Sequence, residues 1–338
     1  MTRKIKVKNL EIGGGAPISV QSMTNTKTVD IDATVAQILA LEQAGCDIIR
    51  LAVPDKLSAQ ALKSIVSQVN APIVADIHFD YKLAIESVNN GVSKVRINPG
   101  NIGDSAKVKY LADYLNERNI PIRIGVNAGS LEKDLQGLSH VDAMVASALK
   151  HVKILEDAHF YNTIISVKSS SVKETIDAYR QLSKKVDYPL HVGVTEAGVF
   201  SRGVIKSAVG IGALLCDGIG DTIRVSLTDN PLTEVSVAKS ILQSLDLTPY
   251  VDVIACPTCA RTCINVQEIA TNITELTKNI KKPLKIAVMG CIVNGLGEAG
   301  DCDFGVAGGV DKSIIFSKGK VLKTVPNADI YKELLGLL

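Results

Sequence analysis

Apolar positions along the chain recur with two periods. Between Pro17 and Leu227, short β-branched runs alternate with longer amphipathic stretches, and several of the short runs open on proline. Side chains alternate across a strand and recur every three to four residues on one face of a helix, so the short runs predict strands and the long ones helices. Eight strands are expected, at 17–23, 47–53, 72–78, 94–98, 121–127, 163–169, 189–195 and 222–227. Helices are expected at 31–44, 58–69, 105–118, 141–157 and 172–182, with a last one near 232–244. Eight strands, each followed by a helix, over roughly 200–250 residues is the arithmetic of an α/β fold of the (β/α)8 TIM-barrel type. A doubly wound sheet would carry a glycine-rich phosphate loop after its first strand. Val20-Gln21-Ser22-Met23-Thr24 stands there instead. Leu247-Thr248-Pro249 breaks the rhythm, and a Cys- and Gly-rich unit follows, closing on a βα pattern at 313–338. The expected domains are a barrel over 1–247 and a small α+β domain over 250–338.

In a barrel, one of the two alternating sets of strand residues points into the lumen. With Val95, Ile97, Ile122, Ile124 and Val126 facing the helices, Arg96, Asn98, Arg123 and Asn127 face inward. The same alternation places Arg50, Lys168, Arg224 and Ser226 in the lumen. Asp76 and His78 join them from strand three, and His191 and Thr195 from strand seven, with Glu196 just beyond. Five cations thus meet two carboxylates, Asp76 and Glu196. Buried charges need partners, so the excess predicts a bound anion of two or three charges, and a diphosphate suits the fork of arginine.

Composition narrows the remaining classes. Hydrophobic residues make up 46% of 338 and charged residues 21%, which is globular. A net charge of +2, from 37 basic and 35 acidic residues, lacks the basic face that nucleic acid requires. No run approaches a membrane span, the longest candidate being 208–216. The first fifteen residues run into Gly13-Gly14-Gly15 without the apolar core of a secretory signal. Seven cysteines in that setting predict a reducing, cytoplasmic compartment and metal or redox chemistry rather than disulfides.

Cys256-Pro257-Thr258-Cys259 follows a predicted strand, and Cys291 sits in the glycine-rich segment Met289-Gly290-Cys291-Ile292-Val293-Asn294-Gly295-Leu296-Gly297-Glu298. A C-x-x-C pair with a distant third cysteine is metal-site spacing. Spacing alone leaves iron–sulfur and zinc both open, the latter with Cys263 or Cys302 as fourth ligand. A redox dithiol at Cys256 and Cys259 would leave Cys291 without a role. Cys46 and Cys216 read as core residues, and Cys263 and Cys302 as core or as neighbours of the site. On these residues alone, a barrel aldolase or isomerase with a structural zinc appendage is the rival.

The two cysteine segments, with Gln21-Ser22-Met23-Thr24, Val95-Arg96-Ile97-Asn98-Pro99-Gly100 and His191-Val192-Gly193-Val194-Thr195-Glu196-Ala197-Gly198, resemble the 4-hydroxy-3-methylbut-2-enyl diphosphate synthases of the methylerythritol phosphate route to isoprenoids. The likeness covers essentially the whole chain and matches the two-domain form. It implies one 4Fe–4S cluster per subunit, with Cys256, Cys259, Cys291 and Glu298 as ligands. It implies two-electron reductive opening of 2-C-methyl-D-erythritol 2,4-cyclodiphosphate with loss of water, the electrons coming from flavodoxin or ferredoxin. Leu296 stands where the family has proline, and Ala260 where glycine is common; Leu296 is expected to loosen the segment that aims Glu298. Combined with the lumen, this assigns the diphosphate to Arg50, Arg96, Asn98, Arg123, Asn127, Lys168, His191, Arg224 and Ser226. Catalysis falls to Glu298, to Glu196 as proton donor and to Asp76 as its positioning partner. The last barrel helix ends at the face opposite the strands' carboxyl ends, and Leu247-Thr248-Pro249 is a short tether. A homodimer is therefore expected, in which each cluster domain caps its partner's barrel, as the resemblance also implies.

Overall fold

The computed structural model describes every residue except Pro99, Gly100, Gly103, Gln136, Asn279 and Lys281. Two compact units make up the chain, Met1–Leu247 and Thr248–Leu338.

The first unit opens with an antiparallel hairpin, β1 (Ile5–Val7) and β2 (Leu10–Ile12). Strand and helix then alternate: β3 (Ser19–Met23), α1 (Ile31–Gln43), β4 (Ile48–Ala52), α2 (Lys56–Val66), β5 (Ile73–Asp76), α3 (Tyr81–Asn89), β6 (Lys94–Ile97) and α4 (Ser105–Asn116). After these come β7 (Ile122–Asn127), α5 (His140–Asp157), β8 (Thr163–Lys168), α6 (Val172–Leu182), β9 (His191–Val192), α7 (Phe200–Cys216), β10 (Thr222–Ile223) and α8 (Pro231–Gln243). The parallel ladder runs β8-β7-β6-β5-β4-β3-β10-β9, and a bridge between Ile165 and Leu190 joins its ends. This is the expected TIM barrel. Side-chain oxygens of Asp30, Asp55, Asp80, Asp104, Ser139 and Ser171 each accept a backbone N–H in the first turn of the helix that follows. Those caps explain why the helices begin where they do.

Outward strand residues such as Ile49, Leu51, Ile73, Val95, Ile122 and Val167 form one apolar core with the helices. At the amino-terminal end of the barrel, Ile5, Val7 and Ile12 of the hairpin pack on the inward Ile48, Val74 and Ile164. The hairpin is thus a plug that closes the bottom of the lumen. Periodicity misses it because three-residue strands are too short to show a period. Ladders β9 and β10 are shorter than expected, although the Arg224 N–H still reaches the Val192 carbonyl at 3.0 Å. Cys216 corrects an expectation: it is exposed, as the last residue of α7 on the face turned from the barrel. Cys46 is buried, and burial pushes its thiol up to about 12.

The second unit is one five-stranded sheet, β11 (Val251–Ala255), β12 (Leu284–Met289), β13 (Phe304–Ala307), β14 (Lys312–Ser317) and β15 (Lys320–Pro326), paired in that order. Its first three strands are parallel and the last two antiparallel. Between them lie α9 (Val266–Thr277) and α10 (Ile292–Glu298), with α11 (Ile330–Leu335) last. One sheet face packs Ile286, Val288, Val306 and Ile315 on Val266, Ile273, Ile330 and Leu334 from α9 and α11. The other packs Ala287, Met289, Ala307 and Phe316 on Ala299, Cys302 and Leu296.

Candidate active site

The barrel lumen is a buried, positively charged chamber. Arg96, at the carboxyl end of β6, donates to Asp76 Oδ1 at 3.1 Å, and Arg50 Nε lies 3.6 Å from Asp76 Oδ2. Arg50 also lies with two guanidinium nitrogens 3.0 and 3.1 Å from Met23 Sδ. Arg123 donates to Ser166 Oγ at 3.1 Å. Lys168, Asn98 and His191 are buried, and Ser226 and Asn127 half-buried. Strand alternation therefore brings these predicted residues together as expected. Pro99 and Gly100, the end of the Val95–Gly100 motif, lie outside the described residues.

Two lumen residues escape the sequence reading. Lys94 is fully buried and points inward two positions before Arg96. Alternation carries that signal, since Lys94 shares the phase of Arg96 at the first position of the predicted strand. Glu234 is the second carboxylate: it lies 3.7 Å from Arg224 and accepts from Ser22 Oγ at 2.9 Å and from Leu227 N–H at 3.0 Å. It comes from the first turn of α8, behind the strands, where no strand period could reveal it. Glu196, expected to share the neutralisation, is exposed beyond β9 with φ at 51°, and Arg224 meets Glu234 instead. His78 also differs from expectation: it is exposed at the mouth, with Nε2 3.8 Å from Asp76 Oδ2. Thr195 is half-buried.

The lumen therefore sets Arg50, Lys94, Arg96, Arg123, Lys168 and Arg224 against Asp76 and Glu234. Burial raises the Asp76 carboxyl, but Arg50, Arg96 and Arg123 outweigh it and hold it below its ordinary value. Burial lowers Arg50 to about 9, which still leaves it charged at neutral pH. Burial, reinforced by neighbouring arginines, pushes Lys94 and Lys168 well below the lysine range. His191 is pushed down in the same way and stands as neutral imidazole. Guanidinium holds its proton against such pressure far better than an amine, so the lysines are where the lumen sheds charge. Gly125 makes room for the Arg96 guanidinium: a Cβ there would sit 2.6 Å from Arg96 Nε.

The second unit holds the thiols. Neighbouring parallel strands end side by side, so β11 delivers Cys256 and β12 delivers Cys291 to one edge of the sheet. Cys256, Cys259, Cys291 and Glu298 line one cavity of about 160 Å³ with Pro257, Arg261, Thr262, Met289 and Gly290. Gly290 N–H donates to Cys256 Sγ at 3.1 Å. The Cys259 thiol is lowered, first by the Arg261 N–H. Cys263 is exposed, but its N–H donates to the Gly290 carbonyl at 2.8 Å and braces the same loop. Cys302 is buried in the apolar layer, with its thiol raised by burial. Leu296 does not sit in a loose loop. It lies within α10, packed into that layer, and Gly295 lets the helix approach β13, since a Cβ there would be 2.3 Å from Ala307 Cβ. No three His, Cys, Asp or Glu side chains among the described residues converge on a single metal position. Three thiols and a carboxylate instead surround a space, and this donor set fits an iron–sulfur cluster.

The chain matches the GcpE TIM-barrel domain over residues 2–239 and the GcpE protein C-terminal domain over residues 252–338. It is 56% identical over 339 residues to a protein of Caldanaerobacter subterraneus subsp. tengcongensis, covering 99% of this chain and 96% of the relative. The corresponding protein of Ruminiclostridium cellulolyticum is 54% identical, with 99% and 96% covered. Both are named 4-hydroxy-3-methylbut-2-en-1-yl diphosphate synthase (flavodoxin). The chain belongs to this synthase family. Among solved structures, the Yersinia pestis dihydropteroate synthase superposes with a TM-score of 0.53 at 12% identity, covering 73% of this chain and all of that one. At so low an identity the likeness is one of barrel fold alone. The synthase family, by contrast, spans both units, so the cationic lumen and the thiol pocket belong to one enzyme. No helix among the described residues is long and apolar enough to cross a membrane.

Proposed function

We propose that this enzyme reductively opens 2-C-methyl-D-erythritol 2,4-cyclodiphosphate, using two electrons and releasing water, to form 4-hydroxy-3-methylbut-2-enyl diphosphate. The observation that carries the reading is the lumen, where six basic side chains, four of them arginines, meet two carboxylates. A diphosphate dianion supplies the missing negative charge, and the forked donors of Arg96, Arg123, Arg50 and Arg224 suit its oxygens. Asn98, Asn127, Ser226 and His191 add neutral hydrogen-bonding groups. Both His191 ring nitrogens are buried without a hydrogen-bond partner among the described residues, which supports a place for a ligand beside them.

The 4Fe–4S cluster, one per subunit, would be held by Cys256, Cys259, Cys291 and Glu298. When bound, it supplies the electrons and a Lewis-acidic iron. Glu298 would be a harder and more exchangeable ligand than the three thiolates. Glu196 is the proton donor to the departing hydroxyl. Its support is positional: it sits just past β9, in a left-handed conformation uncommon for a residue with a side chain. Asp76 positions Arg96 and Arg50 rather than transferring a proton. Flavodoxin or ferredoxin delivers the electrons, and the cytoplasm is the compartment. A homodimer closed by a two-fold axis completes each site, the cluster unit of one chain meeting the barrel of its partner.

Arg96→Ala and Arg123→Ala test the cradle. Losing a charge-assisted hydrogen bond removes about 1.5–3 kcal/mol, or roughly tenfold to a hundredfold in affinity for the cyclic diphosphate. The iron and sulfide content of both variants should match wild type. Calorimetry that found unchanged affinity in both would remove the diphosphate from the lumen.

A further inference from the structure

One pleat below Arg96, towards the hairpin plug, stands Lys94. It is fully buried. In register it pairs with Val74, which belongs to the apolar plug with Ile5, Val7, Ile12, Ile48 and Ile164. Its amine therefore lies between an apolar floor and a cationic cradle. Its hydrogen-bond partner is Gln21 Oε1, at a long 3.4 Å.

Every strand around it contributes to the electrostatics. Arg50 comes from β4, Asp76 from β5, Arg96 from its own strand, Arg123 from β7 and Lys168 from β8. His191 comes from β9, and Arg224 follows β10 with Glu234 behind it. Both carboxylates are committed elsewhere, Asp76 to Arg96 and Arg50, Glu234 to Arg224, Ser22 and the Leu227 N–H. Neither forms an ion pair with Lys94 among the described residues. Gln21 Nε2, Arg123 Nε and both ring nitrogens of His191 are buried without a hydrogen-bond partner among the described residues. An ammonium held there permanently would be a buried charge without a counter-charge, which is strongly unfavourable.

We propose that Lys94 is a further residue of the diphosphate site, neutral in the empty barrel, which takes up a proton from solvent as the diphosphate enters and so adds a charge beneath the cradle. The proposal rests on the diphosphate reading of the lumen. Burial, with Arg123 and Arg50 close by, disfavours the ammonium in the empty site. An arriving dianion offsets most of the positive excess around the amine and so favours the ammonium. A cyclic diphosphate has only strongly acidic, diester-like phosphates and no ionisation near neutral pH, so any proton taken up goes to the protein. The sign follows from linkage. Binding raises the depressed pKa of Lys94, so affinity is full below the empty-site value and falls as pH rises towards the bound-site value.

The test is anaerobic titration of the cluster-loaded enzyme, without reductant, with the cyclic diphosphate at pH 8 in two buffers of different ionisation enthalpy. Wild type should take up protons on binding. Lys94→Met should take up about one proton fewer, and its affinity should fall less steeply with pH, by about tenfold per pH unit where Lys94 titrates. If the methionine variant does not fold, Lys94→Arg serves, being charged in both states: it too should take up one proton fewer, yet bind tightly at high pH. Binding by wild type with no proton uptake, or equal uptake by wild type and a folded variant, would overturn the role of Lys94. Failure of the wild type to bind the cyclic diphosphate would overturn the diphosphate reading itself.

Discussion

Serine in place of Cys256, Cys259 or Cys291 should give colourless protein that still binds the cyclic diphosphate but turns none of it over. Each of these thiols lines the same cavity at the end of β11 and β12. An iron–sulfur cluster needs thiolate charge and sulfur softness, and a serine hydroxyl offers neither at neutral pH. Substrate affinity should survive because the cationic lumen lies in a unit with its own apolar core. Glu298→Ala should behave differently, keeping much of the brown colour and losing most turnover, because three thiolates still hold the cluster. Cys302→Ser should be mild, since Cys302 packs among Met289, Ala307 and Phe316 and does not line the cavity. Absorption spectra with iron and sulfide analysis of anaerobically purified protein check all five variants. Normal turnover by Glu298→Ala with an intact cluster would end its role, and a bleached Cys302→Ser would force a new ligand set.

Two inactive proteins should restore each other. One carries Cys256→Ser, with an intact barrel; the other carries Arg96→Ala with Arg123→Ala, with an intact thiol pocket. A parallel barrel needs each helix to return along the outside of the strands, so α8 brings the chain back to the end where the hairpin plug sits. The connection from α8 to β11 is short, running from Ser244 to Tyr250. The arginines of the cradle sit at or near the opposite, carboxyl ends of their strands. Under the dimer proposal, each mixed dimer holds one complete site, made of the first variant's barrel and the second's pocket. Random exchange makes half the dimers mixed, and half their sites complete, so about a quarter of wild-type activity should return. No recovery in a preparation proven to contain mixed dimers would place both halves of the site in one chain.

Much of the site was legible because the barrel converts alternation into geometry. Arg96, Arg123, Lys168 and His191 each follow from an apolar neighbour that had to face the helices. The thiol pocket was legible because C-x-x-C follows a predicted strand and Cys291 lies in a glycine-rich segment; the adjacent parallel strands β11 and β12 bring the two together. What escaped lies where a one-dimensional pattern carries no such constraint. Glu234 reaches the lumen edge from a helix, and an acidic residue in a first helical turn is ordinary. The hairpin plug is made of two three-residue strands, too short for a period. Glu196 is expected beside the cations because it stands just beyond Thr195, at the end of the seventh predicted strand. The backbone leaves the extended region at that residue, with φ at 51°, and alternation ends there.

Reductive turnover tests the account most directly. Anaerobic, cluster-loaded enzyme is mixed with the cyclic diphosphate and a counted supply of reduced flavodoxin or dithionite–viologen, and phosphorus NMR follows the substrate. The cyclic diphosphate should be converted to a linear alkenyl diphosphate, with two electrons consumed per molecule formed. Recovery of the intact cyclic compound from enzyme that has bound it and carries a reducible cluster, or a product formed without electron consumption, would contradict it.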